Sequence, residues 1–146
     1  MAAAGAVAGV PRSASAAQQR PLKVSPIREG GVDEISPGGF TFVSSLEDGT
    51  VRNSLLDAGA AYGERYSIAD IKGGDAACNA KLLVGVLDGS VRGAYRAAAL
   101  ENAAAAILVG GIAKSYEEAL ALAAESVDSG RASEKLNSLV EASNRR

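Results

Sequence analysis

DAACNAKLLVGVLDGSVRGAYRAAALENAAAAILVGG, residues 75–111, contains two consecutive helical patterns divided by a glycine turn. In the first, Ala80, Leu83, Val84 and Leu87 form one apolar stripe, with Asp75 placed to cap the start and Asp88-Gly89 to stop the helix. The second, about Val91 to Gly110, is apolar on nearly every side after Arg96, which predicts a central helix ended by Gly110-Gly111. Cys78 is the single cysteine, so an internal disulfide is excluded; within an apolar helix it reads as a small core residue.

Working outward, Ser115 and Glu118 have capping-box spacing, and Tyr116, Leu120, Ala123, Ala124 and Val127 predict the buried face of a third helix. Ser129-Gly130 turns the chain into a fourth, with Leu136, Leu139 and Val140 as its stripe. On the amino-terminal side, Phe40, Phe42 and Leu46 recur at even spacing, Asp48-Gly49 suits a tight turn, and Val51 to Leu56 returns as a second strand. Between Leu56 and Ile71 the pattern is polar and interrupted by glycine, predicting an extended loop with one helical turn around Ile68. The folded part is expected to begin near Gly30. Four helices and one β-hairpin describe an α-rich domain, and this pattern by itself names no function.

Composition narrows the chemistry. The 146 residues, 47% hydrophobic, suffice for one domain plus a tail. With 15 basic against 17 acidic residues, a net charge of −2 and no Trp, nothing suggests a nucleic-acid surface. Histidine is absent, which removes Ser-His-Asp and Cys-His nucleophile systems, imidazole bases and the usual zinc sites. The most apolar stretch, residues 103–113, is well short of the ~20 residues needed to cross a membrane, so no membrane partner is expected.

Residues 1–29 read as a tail. From Met1 to Arg28 there is no acidic residue, Ala and Ser dominate, and Arg12, Arg20, Lys23 and Arg28 are dispersed among them. This is the composition of a transit peptide, predicting a plastid address and otherwise a cytoplasmic one. An ordinary disordered tail and an incorrect gene start are the competing readings. Pro11, Pro21 and Pro26 discourage a continuous helix.

Three elements could carry chemistry. Asp33-Glu34 offers adjacent hard oxygens of the kind Mg²⁺ takes from one or two carboxylates, although such a pair is more often a solvated loop. Lys72-Gly73-Gly74-Asp75 could expose backbone amides to a phosphate; a glycine turn with Asp75 as helix cap is the better reading, because a carboxylate there would repel the anion. Asn79 and Asn102 read as buried amides bonded to neighbouring backbone.

Taken in order, GVDEIS (31–36), IKGGDAACNA (71–80), ENAAAA (101–106) and DSGRA (128–132) resemble the carboxy-terminal part of the anthranilate phosphoribosyltransferase family, within the glycosyl transferase family 3 domain. The resemblance covers about residues 30–144. It implies an α/β fold of which residues 30–146 form the later portion, and a possible homodimer. It further implies that Asp33 and Glu34 match the family's Asp-Glu motif, which binds the Mg²⁺ held with phosphoribosyl pyrophosphate. The anthranilate amine would then attack ribose carbon one as pyrophosphate leaves. Ala76 stands where the family often has Pro, and the upstream GTGGD and KHGNR loops have no counterpart in the sequence. A partial chain inactive alone is therefore expected; the alternative is a non-catalytic helical remnant or interaction module whose exposed apolar faces favour association.

Overall fold

The computed structural model describes residues 22–26 and 33–145. Three strands come first, β1 (Leu22–Pro26), β2 (Phe40–Glu47) and β3 (Thr50–Asp57), followed by a short helix α1 (Ala58–Tyr62) and a 3₁₀ turn (Ile68–Ile71). Four longer helices complete the order: α2 (Ala76–Leu87), α3 (Ala94–Val109), α4 (Tyr116–Asp128) and α5 (Arg131–Ser143). The four helices, the hairpin and the helical turn at Ile68 stand where the sequence predicts them. No helix among the described residues is long and apolar enough to cross a membrane.

The sheet is antiparallel in the order β1-β2-β3. Asp48 and Gly49 form the two-residue turn with φ of 49° and 77°, the left-handed pair that matches the twist of a hairpin. The third strand is unforeseen. β1 lies inside the 1–29 segment read as a tail, so the sheet begins at Leu22, ahead of the expected start near Gly30; residues 1–21 lie outside the described residues. Pro21 and Pro26 argue against a helix, and the same prolines leave an extended stretch between them free to pair with the open edge of β2.

The core lies between α3 and α4. Leu100 and Ala104 of α3 meet Tyr116, Ala119, Leu120 and Ala123 of α4, with Ile35 and Ala58 closing the cluster from the sheet side. Several of these positions are alanine, which lets the helix backbones approach closely. The predicted burial on α4 and the central place of α3 hold. The predicted stripes on α2 and α5 do not: Leu83, Val84, Leu139 and Val140 are exposed, and α2 buries Gly85 and Val86 instead. Cys78 is likewise exposed and not a core residue. Helical period tells which residues share a face, whereas the neighbour that covers that face comes from tertiary context.

α1 is the other addition. Asp57 caps it by accepting from the Ala60 N–H at 3.1 Å, and Gly63 closes it with a left-handed φ of 94°. Leu100 sits 3% exposed at the α3–α4 contact, so Leu100→Ala should cost about 2–4 kcal/mol. Urea unfolding followed by circular dichroism should show this as a lower midpoint with unchanged slope.

Candidate functional site

Asp33 and Glu34 are both exposed, yet the chain directly after them is firmly seated. Ile35 is buried, and its backbone is held on both sides by the Asn102 carboxamide. Asn102 Oδ1 accepts from the Ile35 N–H at 2.9 Å, and Asn102 Nδ2 donates to the Ile35 carbonyl at 3.0 Å and to the Ala98 carbonyl at 2.9 Å. Thr41 Oγ1 then accepts from the Ser36 N–H at 3.2 Å, and the Tyr66 N–H donates to the Pro37 carbonyl at 3.1 Å. Gly38 is required next, because a side chain there would collide with the Tyr66 carbonyl. Two sequence signatures, GVDEIS and ENAAAA, thus meet in space: the second clamps the first. Asn102 does bond backbone as predicted, though to a residue 67 positions away.

Neither Asp33 nor Glu34 forms a salt bridge among the described residues, leaving their oxygens free for a ligand. No group of three or more His, Cys, Asp or Glu comes together among those residues. A cation here would take at most these two carboxylates and fill its other positions with water or phosphate oxygens. That donor set suits Mg²⁺, and it does not suit a tetrahedral zinc site.

The KGGD turn adopts the structural role. The Asn79 side chain folds over it, Oδ1 accepting from the Gly74 N–H at 2.8 Å and Nδ2 donating to the Gly74 carbonyl at 3.0 Å. Asp75 caps α2 by accepting from the Cys78 N–H at 2.8 Å. The Gly74 amide that a phosphate would need is therefore already engaged, and a carboxylate occupies the helix start. Asn79 bonds neighbouring backbone as predicted, but it is exposed and not buried. Tyr95 Oη donates to the Lys72 carbonyl at 3.1 Å, tying the turn to α3.

DSGRA supplies the last tie. Asp128 accepts from Arg96 Nη2 through both oxygens at 2.9 Å, joining the end of α4 to a buried guanidinium on α3. Sequence reading assigns Arg96 no role; only the fold brings residues 32 positions apart together.

Glu101, beside Asn102, is fully buried, and neither carboxylate oxygen has a protein hydrogen-bond partner. Burial pushes its pKa up to about 7, and the nearby Asp57 carboxylate, itself paired with Arg65, adds to the rise. Tyr116 Oη donates to the Glu101 carbonyl at 2.9 Å; burial first, then Glu101 and Glu117, raise its pKa and keep it a phenol. Sequence reading passes over Glu101, although a lone acid entering an alanine-rich helix was visible there.

Residues 8–133 match the model of the glycosyl transferase family, a/b domain. The chain belongs to that family. Among relatives of this glycosyl transferase domain, the anthranilate phosphoribosyltransferase of Chelativorans sp. (strain BNC1) is 45% identical over 116 residues, 80% of this chain and 34% of that protein. The crystal structure of the Thermus thermophilus anthranilate phosphoribosyltransferase superposes with a TM-score of 0.71 at 29% identity, covering 84% of this chain and 35% of that one. The Saccharomyces cerevisiae anthranilate phosphoribosyltransferase in complex with PRPP and Mg gives a TM-score of 0.69 at 24% identity, over 80% of this chain and 33% of that one. The chain therefore spans about a third of the length of the curated relatives it matches.

Two measurements check the site. Asn102→Leu removes all three amide bonds and should speed hydrogen exchange at the Ile35 amide by at least about tenfold while α4 remains protected. Glu101 sets a pH dependence. Unfolded, it ionises near its ordinary 4.5; folded, it keeps its proton to about 7. Between those values the unfolded state has released a proton that the native state retains, so stability is full below about 4.5 and falls as pH rises through 7. The loss should be on the order of 1–3 kcal/mol, and Glu101→Gln should flatten the profile of melting temperature against pH.

Proposed function

We propose that this chain provides the metal-binding part of an anthranilate phosphoribosyltransferase α/β domain, acting in tryptophan biosynthesis. The observation that carries the reading is the free Asp33-Glu34 pair, exposed on a loop whose next residue is clamped to α3 by Asn102. The names of the relatives, anthranilate phosphoribosyltransferases, support the substrate class.

In this reading Asp33 and Glu34 hold Mg²⁺ together with phosphoribosyl pyrophosphate. Bound there, the ion supplies positive charge that neutralises the departing pyrophosphate. The new bond forms between the anthranilate amine and ribose carbon one as the bond to pyrophosphate breaks. Asn102 is a positioning residue: it bonds the Ile35 backbone and so sets where the two carboxylates stand relative to α3. Because the chain spans about a third of its relatives' length, turnover by this chain alone is not expected. Plastid targeting by the acid-free amino-terminal segment and a family-type homodimer belong to the same proposal.

Mn²⁺, a paramagnetic substitute for Mg²⁺, tests the site apart from activity. Added with phosphoribosyl pyrophosphate to isotopically labelled chain, it should broaden the amide signals of Ile35 and Ser36 first. The double variant Asp33→Ala, Glu34→Ala should abolish that broadening. Broadening that survives in the double variant would place the ion elsewhere and remove the support for this reading.

A further inference from the structure

Glu101 on α3 is fully buried, and both its carboxylate oxygens lack a hydrogen-bond partner among the described residues. From the junction of β3 and α1, Asp57 acts on it as a like charge. Asp57 is already committed: one oxygen caps α1 through the Ala60 N–H, and the other pairs with Arg65. From α4 comes Tyr116, whose hydroxyl donates to the Glu101 carbonyl at 2.9 Å, with Glu117 acting on that phenol. Asp70 of the 3₁₀ turn accepts from the Ser67 N–H, α2 buries only the uncharged Gly85 and Val86, and Arg96 on α3 itself is taken by Asp128. Asp33 and Glu34 stay in solvent. No cation pairs with Glu101 among the described residues, so its charged form has no neutralising partner in this arrangement.

α1 leads from this acid to the Asp33-Glu34 loop. A side chain at Gly59 would meet the Pro37 carbonyl at 3.2 Å, so α1 lies directly on the loop, and the Tyr66 N–H, shortly after α1, donates to that same carbonyl at 3.1 Å. Pro37 itself is fully buried. Beside the Thr41 bond at Ser36, the loop is thus held at Ile35 by Asn102 and at Pro37 by α1 and Tyr66. We propose that Glu101 is the proton-operated latch of this second tie: protonated, it lets α1 close on Pro37, and ionised, it frees α1 to open and loosens the loop that carries Asp33 and Glu34. An ionised Glu101 must reach water or draw Arg65 away from Asp57, and either move disturbs the Asp57 cap. α1 is the element that yields, because it has five residues against thirteen in α4, whose Ala119, Leu120 and Ala123 form the core. Burial and Asp57 together raise the Glu101 pKa from the ordinary 4.5 to about 7, so opening becomes easier as pH rises between those values and no easier above them. The latch belongs to the loop itself and does not depend on the loop's holding a metal.

Native-state hydrogen exchange of the full chain, followed by NMR in low urea, tests the latch. The Gly63 N–H, which closes α1 on the Gly59 carbonyl, and the Tyr66 N–H should exchange through an opening that urea barely promotes, as a local opening does. After correction for base catalysis, that opening should grow at least about tenfold between about pH 5 and pH 8 and level off above about 7. The Ala119 N–H in α4 should exchange only through the global opening that urea does promote. Glu101→Gln removes the charge and should abolish the growth, leaving Tyr66 as protected at the higher pH as at the lower. Where the glutamine disturbs packing, Asp57→Asn gives a second measurement: it removes the like charge while its amide oxygen still caps α1, so the growth should level off at a lower pH. Tyr66 protection that does not change with pH overturns the proposal. So does a change that persists in Glu101→Gln, a levelling pH that Asp57→Asn leaves where it was, or exchange of Gly63 and Tyr66 only together with Ala119, which would make Glu101 a load on overall stability and not a latch.

Discussion

One carboxamide fixes the geometry on which the site depends. Asn102 projects from the middle of α3 and meets the backbone of Ile35 on both its polar edges, accepting from the N–H and donating to the carbonyl. A carboxamide is suited to this task because it is neutral and can donate and accept at once, satisfying two backbone groups that burial of Ile35 removes from water. A carboxylate could not donate, and a hydroxyl would not span both groups. The exposed Asp33-Glu34 pair is therefore the free end of a loop whose root is fixed, which keeps two like charges in water while defining where they stand.

The other signatures converge on the same helix. Tyr95 holds the KGGD turn through the Lys72 carbonyl, Arg96 holds Asp128, and Asn102 holds the Asp-Glu loop. Their common function is to join segments far apart in sequence to α3. This explains why α3 tolerates polar residues in an otherwise alanine-rich, buried setting. Arg96 meets Asp128 through Nη2 alone, which reaches both carboxylate oxygens, while its buried Nη1 has no hydrogen-bond partner among the described residues. Glu101 has no such partner; burial raises its pKa to about 7, so below that pH it sits in the core as a neutral acid.

What the sequence revealed and what it concealed divide along physical lines. Local interactions were legible: the Asp48-Gly49 turn, the Asp75 cap and the Ser115 cap all involve partners within a few residues. Even there, Glu118 bonds the Lys114 N–H and not that of Ser115, a shift of one residue that spacing cannot resolve. α1 was hidden because Gly59 weakens its helical pattern, and the reason for that glycine lies outside the segment: a side chain there would press on Arg65 and on the Pro37 carbonyl. For the site, Asp33 and Glu34 could be picked out by type and order. Their anchoring by Asn102 could not, since it spans 67 positions and leaves no periodic trace.

The sheet shows how this division can mislead. Even spacing of Phe40, Phe42 and Leu46 invites the assumption that they face the core, yet the side turned inward carries Thr41 and Val43. Thr41 is placed there by chemistry: its hydroxyl accepts from the Ser36 N–H, so the buried face of β2 also serves the loop that carries Asp33 and Glu34. The two faces of this one strand have separate tasks. One fixes the candidate metal loop, together with Asn102; the other carries the exposed Phe40 and the half-buried Phe42 and Leu46, with the Ser44–Asn53 hydrogen bond between them.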